Sequence, residues 1–134
     1  MPHPAMSPNN VAVITGGASG IGLAAAARFA AIGMKICIAD IGAERLAEAA
    51  ARLASVARGG AADIMTASVD VSRFDDLAGL ETAVQKRFGG TDILMNNAGI
   101  GPDSTSLVPL ENWQRILAVN LWGSFTARRR LHPI

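Results

Sequence analysis

The chain has 134 residues, half of them hydrophobic, with 12 basic against 11 acidic side chains and a net charge of +1. So apolar and so lightly charged a composition excludes a disordered chain, and the even balance gives no field for nucleic acid or an acidic membrane surface. One domain of this length buries roughly two-thirds of the surface its unfolded chain exposes, so it needs no disulfide, and the lone Cys37 reads as a small buried side chain in a reducing compartment.

Residues 1–10 carry Pro2, Pro4 and Pro8 and neither the basic start nor the apolar stretch of a signal peptide, which predicts a flexible tail and a cytoplasmic protein. No apolar run reaches the roughly 18 residues of a membrane span. Val11 to Thr15 is a short apolar, β-branched run that ends in the cluster Gly16-Gly17-Ala18-Ser19-Gly20-Ile21-Gly22: a buried strand entering a tight turn. A helix follows from Ile21 to Ile32, with Ile21, Ala25, Phe29 and Ile32 at helical spacing and Gly33 as its stop. Lys35 to Ala39 reads as a second strand ending at Asp40, and Glu44 to Ala57 as a helix with Leu46, Ala50, Leu53 and Val56 on one face.

A third strand fits Ile64 to Val69. Ser72, with Asp75 three residues on, opens a helix in the manner of a capping box, its inward stripe Phe74, Leu77, Val84 and Phe88. Asp92 to Met95 makes a fourth strand, and beyond Pro102 and Pro109 a last helix carries Leu110, Trp113, Ile116, Leu117, Asn120 and Leu121 into Arg128-Arg129-Arg130. The triplet reads as a solvated helix end. This alternation implies an α/β fold, a doubly wound parallel sheet covered on both faces.

The glycine turn between first strand and first helix brings backbone N–H groups and a helix N-terminus toward one point, which suits a diphosphate. Gly22 is followed by Leu23, not by the Lys-Ser/Thr of a triphosphate loop, whereas Gly20-Ile21-Gly22-Leu23-Ala24-Ala25 satisfies the dinucleotide form G-x-G-x-x-G/A. Asp40, 20 residues after Gly20, closes the second strand where a carboxylate can accept both ribose hydroxyls. The same charge would repel the 2′-phosphate of NADP, and neither Ser19 nor Ile41 offers a balancing cation, so NAD is favoured over NADP. Asp40 could also serve simply to cap the following helix.

Thr15-Gly16-Gly17-Ala18-Ser19-Gly20-Ile21-Gly22, Asp70-Val71 and Asn96-Asn97-Ala98-Gly99, in that order and at these separations, resemble the short-chain dehydrogenase/reductase family. The resemblance implies a Rossmann-like NAD-binding domain over 11–134, incomplete after about four strands in the order 3-2-1-4. It places Gly16, Ser19 and Ile21 at the diphosphate and nicotinamide half of the cofactor, counts Gly22 among the cofactor-binding residues, and puts Asp40 at the adenosine ribose, Asp70 and Val71 at the adenine, and Asn97, Ala98 and Gly99 beside the cofactor ribose. Asn120 matches the helix asparagine of the catalytic tetrad, which positions a water in a proton relay. Residue by residue, plainer roles exist: Asp70 as a loop acceptor, Val71 as core, Asn120 as a packing compromise.

Family members continue well beyond this length and supply a catalytic serine and a Tyr-x-x-x-Lys pair, whereas this sequence contains no tyrosine and only Lys35 and Lys86. That predicts an NAD-binding portion without turnover, a small-molecule substrate only in a full-length form, and a frameshift or early stop behind the unusual ending. A non-catalytic dinucleotide-binding or partner-interaction module is the alternative. The two histidines, His3 and His132, and one cysteine show no metal-ligand spacing. The fourth strand would be left as an open edge, with Ile93, Leu94 and Met95 inviting self-association, and Trp113, Trp122 and Phe125 would lack part of their packing.

Overall fold

Val11–Thr15 (β1) is buried at every position, as a strand must be when helices cover both faces of its sheet. In the computed structural model, which describes residues 3–100 and 109–131, β1 pairs in parallel with Lys35–Asp40 (β2) and Ile93–Asn96 (β4), and β2 with Ile64–Ser68 (β3). The order is β3-β2-β1-β4, as the sequence predicts. The expectations for Pro102 and His132 fall outside the described residues.

Helices Gly20–Ala31 (α1) and Ala43–Val56 (α2) cover one face, where Ala26, Ala30, Leu46 and Leu53 meet Ala12, Ile14, Ile36 and Ile38. On the other face Leu77, Leu80 and Val84 of Phe74–Phe88 (α3), with Ala127 and Leu131 of Ser124–Leu131 (α5), pack on Val11, Val13, Cys37 and Ala39. At about 2 kcal/mol for each large aliphatic side chain fully buried, these two layers are the main source of stability. Between Leu110–Leu117 (α4) and α5 the expected single helix widens into one π-helical turn, Ala118–Gly123, a feature frequent at functional sites. No helix of the described residues is long and apolar enough to cross a membrane.

Several expected faces are rotated. In α1 the buried residues are Gly22, Ala26 and Ala30, while Ile21 is 76 % exposed: the smallest side chains face the sheet because they let the helix come closest. Val56 of α2 and Phe74 of α3 are exposed, and Ala49 and Leu80 take the inward positions. Phe74, at the first position of α3, receives the Arg130 guanidinium 4.4 Å from its ring centroid, and Arg130 also meets Glu81 at 3.4 Å. One member of the arginine triplet is therefore engaged with α3 and not simply solvated. The capping box at Ser72 does not form, because the Ser72 hydroxyl turns back to Asp70 Oδ1 at 2.6 Å, a local turn that competes with the helix end.

Residues 3–10 run as successive turns, with Ser7 Oγ donating to the Pro4 carbonyl at 2.6 Å and the Asn9 N–H to the Gly33 carbonyl at 2.9 Å. Among the described residues β4 pairs only with β1, which leaves its other edge open, and a groove of about 580 Å³ there is lined by Ile93, Leu94, Phe29 of α1, Arg128 of α5 and Met6. Trp122 and Phe125 pack edge to face, 6.2 Å between centroids, and both remain exposed.

Candidate functional site

The strand order reverses between β2 and β4 on either side of β1, and the C-terminal ends Thr15, Ala39 and Asn96 lie in register. Such a switch point opens a crevice for ligands. Here it is a cleft of about 330 Å³, and Gly16, Ser19, Asp40, Asp70, Val71, Asn97, Ala98 and Gly99, eight of the residues singled out from sequence, line it. Ile21, Gly22 and Asn120 do not.

The glycine turn is held by close approach. Gly16 has φ +65°, and a Cβ there would lie 2.9 Å from Ala98 Cα. Gly22 is buried behind the turn, where a Cβ would collide with the Gly16 carbonyl and come within 2.5 Å of Asn97 Nδ2. No side chain can be added at either position without moving backbone. The Asn97 amide closes the arrangement by donating to the Gly16 carbonyl at 3.0 Å. Thr15 locks the same joint from below: its Oγ1 accepts from the Asn97 and Ala98 N–H groups, both at 3.1 Å. Sequence reading missed this role, since Thr15 reads as a strand end and its partners lie more than eighty residues away.

α1 begins at the cleft without a side-chain cap, for Ser19 at its N-cap makes no such bond and stands exposed on the lining. Its first amides and hydroxyl are available to an anion. Ile21, by contrast, points to solvent outside the cleft.

Asp40 accepts from the Ala18 N–H through Oδ2 at 3.0 Å and from the Ile41 N–H through Oδ1 at 2.7 Å. The carboxylate is thus fixed between the glycine turn and the start of α2, with a second lone pair on each oxygen to offer. Asp40 does not cap α2, whose N-cap Gly42 receives no side-chain bond; both its bonds go to loop amides. Sequence reading also missed the cation nearby: Arg45, in the first turn of α2, lines the cleft and donates from Nη2 to the Ile41 carbonyl at 3.3 Å. Its position four residues past Ile41 was the available signal, since one helical turn returns a side chain to the helix start.

Asp70 accepts twice through Oδ1, from the Ser72 hydroxyl at 2.6 Å and the Ser72 N–H at 2.9 Å, while its own N–H donates to Asp76 at 2.9 Å. The Ser72 hydroxyl chiefly holds its carboxyl below the usual range, against the opposing effect of burial and with help from the Ser72 N–H and the charges of Arg73 and Arg115. It is an acceptor at neutral pH. Val71 is both core and lining, and its side chain comes so near Gly123 that a Cβ there would lie 2.8 Å away.

Asn120, in the π-helical turn, sits behind the wall. Its Oδ1 accepts from the Ile100 N–H and its Nδ2 donates to the Ile100 carbonyl, both at 2.8 Å. Together the cleft offers an uncapped helix start, a fixed carboxylate beside it and a second carboxylate further along, a sequence of groups suited to an extended dinucleotide. Its described titratable lining residues are Asp40, Arg45, Asp70 and Arg115.

A family model described as short chain dehydrogenase matches residues 10–134. An uncharacterized oxidoreductase of Mycobacterium bovis is 39% identical over 119 residues, which cover 88% of this chain and 46% of that protein. Among solved structures, an L-sorbose reductase from Gluconobacter frateurii complexed with NADPH and L-sorbose superposes with a TM-score of 0.86 at 35% identity, over 95% of this chain and 48% of that one. A 3-ketoacyl-(acyl-carrier-protein) reductase from Brucella melitensis complexed with NADH gives 0.83 at 34% identity, over 94% and 50%. The chain spans about half the length of the relatives it matches.

Proposed function

The chain belongs to the short-chain dehydrogenase family, and from that premise we propose that it is the NAD-binding portion of an oxidoreductase acting between a secondary alcohol and a ketone. The observation that carries the reading is Asp40, fixed by the Ala18 and Ile41 N–H groups at the lip of the cleft beside the uncapped start of α1. Asp40 would accept from the adenosine ribose hydroxyls, the amides after Gly16 and the Ser19 hydroxyl would hold the diphosphate, and Asp70 would accept from the adenine amino group. When bound, the nicotinamide supplies a hydride acceptor. Solved relatives hold NADPH in one case and NADH in another, and the negative charge of Asp40 favours NAD.

Oxidising an alcohol also requires an acceptor for the hydroxyl proton. The family resemblance gives that task to a tyrosine, and these 134 residues contain none. We therefore propose that they bind NAD without turnover, and that a small-molecule substrate is engaged only in a longer form. A cytoplasmic setting fits the single, buried Cys37.

Calorimetric titration of the chain with NADH tests the binding: saturable uptake, weakened at least tenfold in Asp40→Leu, is expected. Tighter binding of ATP than of NADH would sink the reading, and NAD reduction by the purified chain would sink its inactivity.

A second reading rests on the open edge of β4 and its groove: the chain pairs there with another copy of itself, since unpaired strand edges template association. Sedimentation across a concentration series, with hydrogen exchange at Ile93 to Asn96, decides it. The Asp92 N–H donates to the Val11 carbonyl of β1, so by alternation the Ile93 and Met95 amides face the open edge; their protection should rise with oligomer content, and an oligomer that leaves them unprotected uses another surface.

A further inference from the structure

The acid that favours NAD has a cation beside it. Arg45 lines the same cleft as Asp40 and Ile41, and its guanidinium is tethered to the loop between them by one bond to the Ile41 carbonyl. A guanidinium carries five N–H donors in a planar fork, so this tether leaves most of the fork free. Gly42, the N-cap of α2, has φ +101° and no side-chain cap bond, and even an added Cβ would come no nearer than 3.8 Å to Arg45 Nε. Nothing at that position fences the arginine off from the cleft mouth. Glu44 is exposed on the same turn but is not among the lining residues. The ribose end is therefore a mixed field, with one fixed carboxylate and one tethered guanidinium at its lip.

We propose that Arg45 is a specificity-determining residue, a binding group for a ribose 2′-phosphate held in reserve, so that the preference for NAD over NADP rests on the charge of Asp40 alone. This rests on the dinucleotide reading above. An unesterified ribose takes its bonds from Asp40 and makes little use of Arg45. A 2′-phosphate meets both groups, repelled by one and paired with the other, and a bidentate guanidinium–phosphate contact is among the stronger charge-assisted pairs. Removing the negative charge should leave the attraction unopposed.

The experiment is a calorimetric titration of NADH and NADPH against the wild-type chain, Asp40→Asn, and Asp40→Asn combined with Arg45→Gln or Arg45→Lys. Asn keeps an acceptor for the Ala18 or Ile41 N–H and removes the charge. The NADH-to-NADPH affinity ratio should move toward NADPH by tenfold or more in Asp40→Asn, lose at least threefold of that shift when Arg45→Gln is added, and keep it with Arg45→Lys. An Asp40→Asn ratio unaffected by Arg45→Gln overturns the proposal, as does one that does not move at all.

Should Asp40→Asn fail to fold, wild type and Arg45→Gln are compared with adenosine 2′,5′-bisphosphate and 5′-AMP. Selective loss of the bisphosphate is then expected, and equal weakening of both assigns Arg45 a structural role instead. Wild-type chain that binds NADH while its NADPH affinity ignores Arg45 defeats this inference only. Wild-type chain that binds neither dinucleotide defeats the reading beneath it as well.

Discussion

Asn120 grips Ile100 by both ends of its amide, accepting from the N–H and donating to the carbonyl at 2.8 Å each. The two residues are 20 apart, one in the π-helical turn and the other just beyond the β4 end, so the pair fastens the helix to the cleft wall. Leucine at 120 would leave both Ile100 groups to water, at a cost of about 0.5–1.5 kcal/mol for each of these exposed bonds. We expect Asn120→Leu to speed hydrogen exchange at the Ile100 amide by tenfold or more and to weaken NADH binding through Gly99. Unchanged exchange would show that the wall holds without the clasp.

Thr15 supports the same wall from beneath. Thr15→Val keeps its shape but removes the acceptor for two N–H groups, and should lower unfolding free energy by about 1–3 kcal/mol. Thr15→Ser should recover most of it. Urea denaturation of the three proteins checks the order, and a valine variant as stable as wild type would mean that the two amides find other partners.

At Gly22 a single methyl group meets backbone on one side and the Asn97 amide on the other. Overpacking of this kind costs about 1–3 kcal/mol when neighbours can move. Gly22→Ala should lower the melting temperature and abolish measurable NADH binding, whereas Gly79→Ala, at a site with open space, should do neither.

Cys37 lies inside the α3 face of the sheet, where burial pushes its thiol up to about 12 against a weak opposing effect of Arg87. An acid whose pKa rises on folding favours the folded state below the unfolded value near 9 and loses that contribution as pH climbs toward 12. Stability should fall above about pH 9. Iodoacetamide at pH 8 should leave the native chain unlabelled and modify it fully in denaturant. Rapid native labelling would contradict the burial.

Asp70 shows the opposite sign. Its lowered pKa contributes stability above the unfolded carboxyl value, lost as pH falls through the folded one. Ser72→Ala removes the chief cause, so an NMR titration should find the Asp70 carboxyl shifted upward, and the stability gap between variant and wild type should close in acid.

The strands were readable because each is an unbroken apolar run whose meaning does not depend on direction or partner. Asp40 was readable because its place at a strand end is fixed by chain position alone. Helix orientation was harder: Ile21 and Phe74 are apolar but exposed, outside the buried stripes Gly22, Ala26, Ala30 of α1 and Leu77, Leu80, Val84 of α3. In α1 alanines and glycine share the buried face, so hydrophobicity carries little phase information. The parts of Thr15 and Asn120 that matter are hydrogen bonds made across long stretches of chain, and no local pattern encodes those. Arg45 stands five positions beyond Asp40, and only the first turn of α2 brings it back to the cleft, so the immediate neighbours of Asp40 do not reveal it.

The joint between Thr15 and Ala98 spans 83 residues, and it makes recognition a late event in the life of the chain. The glycine turn leaves the ribosome early, but its back wall is supplied by β4, so a nascent chain has no cleft until nearly a hundred residues are out. At synthesis rates of about 5–20 residues per second, the turn waits several seconds or more for its wall. Any dinucleotide that binds must therefore bind after the sheet has closed its longest loop, and by mass action it holds that closure shut. Occupancy of the cleft is then possible only once β4 is in place.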